Sequence, residues 1–205
     1  MKEIPILFST PMVLALIEGR KTMTRRMVKG TPLKWLDDFT SEYVAMPENG
    51  LCPYGKPGDL LWVREGFSEP VVHDGCEPDY YFKADNNIRT TGYKWKPSIH
   101  MPKVAARIWL GVTDVKVERL QQISKEEAIA EGILHDEIGF KDYDMERAKG
   151  YGHPDYDYPH VQDARISFQS LWRSINGWES WNINPWVWCV SFKVLSTTGK
   201  PQLKV

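Results

Sequence analysis

Residues 20–29 read Arg-Lys-Thr-Met-Thr-Arg-Arg-Met-Val-Lys, five cations and two hydroxyls in ten positions, with the flanking acids at Glu18 and Asp37. Two kinds of chemistry use such a set. Guanidiniums take phosphate oxygens in bidentate fashion, and the hydroxyls of Thr22 and Thr24 add donors, so the segment can bind nucleic acid through Arg20, Arg25 and Arg26. Alternatively, crowded cations and burial lower the affinity of Lys21 for its proton, so that it can take one from a neighbouring hydroxyl. A solvated basic turn without a ligand is the third reading. A carboxylate far along the chain bears on the choice. Glu131 precedes Gly132 in Ala-Ile-Ala-Glu-Gly, at the end of an expected helix. An acid there opposes the helix dipole, which hints at a purpose other than helix stability.

The elements that position these groups follow from pattern. Ile4–Phe8 is a short apolar run. Thr10 and Pro11 then form a start signal for a helix over Met12–Glu18, stopped by Gly19, which presents the basic segment at its C-terminal turn. Alternation of Thr22, Thr24, Arg26 and Val28 with Met23, Arg25 and Met27 predicts a strand there. The Gly55-Lys56-Pro57-Gly58-Asp59 turn feeds a strand over Leu60–Phe67. Val104–Leu120 reads as a long strand bent at Gly111. Ser124-Lys125-Glu126-Glu127 is a capping box opening the helix that ends at Glu131. A helix over Ala164–Ile175 and a strand over Trp186–Leu195 complete the set. Segments 31–55, 68–103 and 133–163 read as irregular insertions, the last acidic, and 196–205 as a polar tail. The pattern is α+β, with one domain over 1–195.

Composition narrows the class. With 26 Lys and Arg against 27 Asp and Glu, the net charge of -1 excludes a globally basic nucleic-acid coat. Cys52, Cys76 and Cys189 form no C-x-x-C pair, which favours a reducing, cytoplasmic setting over a disulfide framework. No apolar run is long enough for a membrane span, and no cleavable leader is expected. His73 and Cys76, with Cys52, lack a fourth partner, so no metal and no cofactor is expected. His153 and His160 read as surface histidines. Tyr80, Tyr81 and Phe82 read as strand residues first, and Tyr151, Tyr156 and Tyr158 as either a lid over a base or loop packing. Nine tryptophans, five of them within 172–188, suit core packing or a base-stacking platform.

Several of these segments together resemble the ASCH family of PUA-like proteins, particularly its longer bacterial and prophage-encoded members. They are Pro5-Ile6-Leu7-Phe8, Gly19-Arg20-Lys21-Thr22-Met23-Thr24-Arg25-Arg26, Lys56 to Glu65, Val112 to Gly132, and Asn184-Pro185-Trp186-Val187-Trp188. The resemblance implies a small PUA-like β-barrel with flanking helices, inserted loops and a basic cleft for a nucleoside or RNA. One branch of the family hydrolyses the amide of N4-acetylcytidine. Similarity to it implies Lys21 as general base, Thr24 as nucleophile and Glu131 as proton donor. Arg20, Thr22, Arg25, Arg26, Trp62 and Glu65 are the implied substrate or nucleic-acid contacts. Other members of the family are thought to bind RNA without catalysis, and at least one is described as a ribonuclease.

Overall fold

The computed structural model describes residues 1–69, 71, 79–85, 94–144 and 160–202. Its strands are β1 (Glu3–Leu7), β2 (Met23–Met27), β3 (Leu60–Arg64), β4 (Phe67–Ser68), β5 (Trp95–Lys96), β6 (Trp109–Arg119), β7 (Phe140–Lys141), β8 (His160–Val161) and β9 (Trp186–Ser196). The helices are α1 (Thr10–Ile17), α2 (Thr31–Trp35), α3 (Ser41–Ala45), α4 (Lys125–Ala130) and α5 (Ala164–Asn176). The class is α+β. Five strands form one sheet in the order β1-β3-β6-β9-β2, and β4-β5 and β7-β8 are separate pairs. Among the described residues β1 and β2 stay at the ends of that order, so the sheet is open where a closed barrel was expected.

The chain divides into two compact units, the first built from Met1–Gly19, Tyr54–Thr113 and Phe192–Val205. Here β1 runs parallel to β3, with Glu3 opposite Leu60 and Leu7 opposite Arg64, a pairing that needs a crossover and has α1 directly after β1. β3 is buried from Leu60 to Val63, as a strand covered on both faces must be, and pairs antiparallel with the start of β6. Leu60, Trp62, Phe67, Phe82, Met101 and Trp109 form the core. Gly55 sits at φ +83°, where a Cβ would come within 2.8 Å of both Asp59 Oδ2 and Ile4 Cδ1. Asp59 in turn accepts the backbone N–H groups of Lys2 at 2.7 Å and Lys56 at 3.2 Å. β6 runs from Trp109 through Gly111 without interruption, and the glycine makes room for Leu195, whose Cδ1 would lie 3.2 Å from an added Cβ. Nor is the tail detached before 202, since the Gly199 amide donates to the Arg107 carbonyl and Lys200 pairs with Glu3 at 2.8 Å.

The second unit comprises Arg20–Pro53 and Asp114–Ser191. β2 pairs antiparallel with β9, Thr24 opposite Val190 and Arg25 opposite Cys189. The capping box forms as expected: Ser124 Oγ accepts the Glu127 amide and Glu127 Oε2 accepts that of Ser124. Ala128, Phe168, Trp172, Val187 and Cys189 belong to the core, which also takes Leu120, Ile123 and Ile133. Residues 31–50, expected to be irregular, hold α2, α3 and a short 3-10 turn, with Pro32 in the first turn of α2 and Thr40 capping α3. The acidic 133–163 stretch is partly structured: β7 pairs with β8, Asp136 meets His160 at 2.7 Å, and Ser167 of α5 donates to the Lys141 carbonyl. His73, Cys76, Tyr151, His153, Tyr156 and Tyr158 lie outside the described residues.

Candidate active site: a buried lysine and glutamate

Lys21 and Glu131 stand 110 positions apart in sequence and meet as an isolated antiparallel bridge between the chain entering β2 and the end of α4. Lys21 is fully buried and Glu131 is 5% exposed. The ammonium donates to Glu131 Oε2 and to the Glu131 carbonyl, both at 2.8 Å. Arg20 adds a bond to the Gly132 carbonyl and the Thr22 amide one to the Ala130 carbonyl. Donors from the basic segment thus satisfy the carbonyls that a helix C-terminus leaves open, and Lys21 also puts positive charge at the negative end of the dipole. That arrangement explains how an acid is tolerated at the end of α4. Burial pulls the Lys21 pKa below its ordinary value; Glu131 works against this, while the charges of Arg26 and Arg25 add to it.

Arg25 extends the network. Its side chain is buried, and its guanidinium reaches Glu118 at 2.6 Å, Glu127 at 2.7 Å and Glu131 at 3.4 Å. Lys116 bridges Glu118 at 3.1 Å and also pairs with Glu127. Three cations therefore face three carboxylates, and two of the five cations of the basic segment, Lys21 and Arg25, are ion-paired within the fold. The Arg25 guanidinium is thus occupied by three carboxylates. Sequence reasoning did not single out Lys116, Glu118 or a second role for Glu127. The alternation of Val115 and Val117 with Lys116 and Glu118 was the available signal, since it places the charged pair on one strand face.

Thr24 is 1% exposed and shares a face of β2 with Arg26, opposite to that of Arg25. Thr22 is exposed and Arg20 and Arg26 are half-buried. Across from Arg25, burial pushes the Cys189 thiol well above its usual range, so it stays protonated. Trp62 and Glu65 belong to the first unit. Trp62 is a core residue, with the Arg64 guanidinium 5.6 Å from its ring centroid. Glu65 is 1% exposed and held by the Arg107 fork at 2.9 and 3.0 Å; Arg107 also reaches Asp85 at 2.6 Å and stacks over Phe82 at 4.0 Å. Both residues are thus engaged in packing. The C-terminal tryptophans do likewise: Trp172 and Trp188 are buried, Arg173 covers Trp178, and Arg119 covers Trp186. No group of metal-ligating side chains occurs among the described residues.

No family model and no curated protein matches the chain. Among solved structures, the crystal structure of protein EF3133 from Enterococcus faecalis V583, described under family model DUF984, is similar at 14% identity. The match covers 100% of this chain and 87% of that one with a TM-score of 0.37, a likeness that carries no argument about fold or function. No described helix is long and apolar enough to cross a membrane.

Proposed function

We propose that this chain is an ASCH-type amidohydrolase, in the PUA-like class, that removes the acyl group from N4-acylated cytosine nucleosides. The observation carrying the reading is the buried 2.8 Å contact between Lys21 and Glu131. An ammonium beside a carboxylate and an amine beside a carboxylic acid differ by one proton moved across that bond. In a dry site, where burial already weakens the hold of Lys21 on its proton, the second state supplies a base and an acid together.

The steps then balance. The Lys21 amine takes the proton of the Thr24 hydroxyl as Thr24 Oγ bonds to the acyl carbon. The carbon–N4 bond breaks while Glu131 gives its proton to the leaving amine, which leaves the ion pair seen here. The Lys21 proton then passes across the pair to Glu131, the neutral amine takes a proton from water as the hydroxide bonds to the ester carbon, and the carbon–Oγ bond breaks as Lys21 hands that proton to Thr24, releasing acetic acid that ionises in solvent. Arg26 shares the Thr24 face of β2, and in this reading its guanidinium steadies the oxyanion.

The test is the ultraviolet absorbance change on incubating the protein with N4-acetylcytidine. Turnover by wild type, loss of at least about 100-fold in Thr24→Ala and partial recovery in Thr24→Ser are expected. Full activity of Thr24→Ala assigns the attack to water and removes the nucleophile from the account. Absence of turnover alongside salt-sensitive RNA binding replaces the enzyme with a binding module, and cleavage of a labelled RNA replaces it with a ribonuclease.

A further inference from the structure

Between β2 and β3, Trp35 at the end of α2, Phe39 in the following turn and Tyr43 of α3 pack their rings on one another. The ring centroids of Trp35 and Phe39 lie 5.3 Å apart, those of Phe39 and Tyr43 4.8 Å, and those of Trp35 and Tyr43 6.2 Å. No residue of α2 is buried, and Phe39 and Tyr43 remain 46% and 37% exposed. Contiguous exposed aromatic rings rimmed by polar residues mark a surface that binds a partner.

Charge selects the kind of partner. Residues 31–50 contain Asp37, Asp38, Glu42 and Glu48 against Lys34 alone, a net charge of -3, and all five side chains are exposed. Among the described residues no ion pair reaches Asp37, Asp38 or Glu48. Nucleic acid is disfavoured because its phosphates would meet this acidic rim. A second copy of the patch is disfavoured because a twofold contact would set two such rims against each other. Arginine side chains satisfy both features, since a guanidinium stacks on ring faces and pairs with carboxylates.

We propose that the Trp35-Phe39-Tyr43 cluster and its acidic rim dock a basic, arginine-containing segment of a partner protein. The probe is a short fluorescein-labelled peptide of alternating arginine and serine, with a glutamate-serine peptide as control, followed by anisotropy. Binding of the arginine peptide alone, weakened at least about tenfold by Phe39→Ala with Tyr43→Ala and also by Asp37→Lys with Asp38→Lys, is expected. Circular dichroism establishes that both double variants fold. The proposal is overturned if the arginine peptide does not bind, if either folded double variant binds it as wild type does, or if sedimentation shows self-association that Tyr43→Glu abolishes.

Discussion

Replacing Lys21 with methionine should cost about 3–5 kcal/mol of folding stability, read as a lower midpoint of urea unfolding at neutral pH. Methionine fills a similar volume, so the loss isolates charge and hydrogen bonding. Among the described residues Glu131 would keep only the 3.4 Å contact from Arg25 as compensation for its buried carboxylate, and its carbonyl would lose the ammonium donor. The corresponding gain is specific. Adding Glu131→Gln to Lys21→Met removes the stranded charge and should restore more than half of the loss, because removing both members of a buried pair is far cheaper than removing one. A methionine variant as stable as wild type would mean that Glu131 is open to water.

The second large effect belongs to the first unit. Arg107→Leu should also cost about 3–5 kcal/mol, since it strands Glu65, which has only the Arg107 fork as its ion-pair partner among the described residues. This loss carries a pH signature. Burial raises the Glu65 pKa above 4.5, and Arg107 pulls it back part of the way. A carboxyl whose folded pKa exceeds its unfolded one binds its proton more tightly when folded, so stability falls as pH rises from 4.5 through the folded value. Removing Arg107 moves the folded value up and widens that window. The variant should therefore regain stability on acidification from neutral pH towards 5, and Arg107→Leu with Glu65→Gln should lack the gain. Urea midpoints across that range check both.

Local signals reached most of the scaffold. The capping residues Ser124 and Glu127, the alternation in β2 and the β-branched run of β6 each carry their own geometry within a few positions. The elements missed are those that depend on distant or non-periodic contacts. α2 and α3 are five residues each, too short to show a period, and hold together through rings at 35, 39 and 43. At Gly111 a missing side chain reads alike for a kink and for a close approach, and the approach of Leu195 comes from a residue 84 positions away. In the site, the cation types at Lys21 and Arg25 were plain, but their charge balance was not. The neutralising carboxylates come from Glu118, Glu127 and Glu131, about 100 positions away, and charge counted along a segment cannot include them.

If the proton shared by Lys21 and Glu131 is used in chemistry, the rate of N4-acetylcytidine deacetylation must depend on the Glu131 carboxyl, and Glu131→Gln measures that dependence. Glutamine keeps the size of the side chain and a carbonyl oxygen for Lys21, but it cannot give up a proton to the leaving amine. Wild type should turn over the substrate, and the folded variant should do so at least about 100-fold more slowly. Turnover by Glu131→Gln equal to that of wild type would contradict it and leave the pair as a structural clasp between β2 and α4.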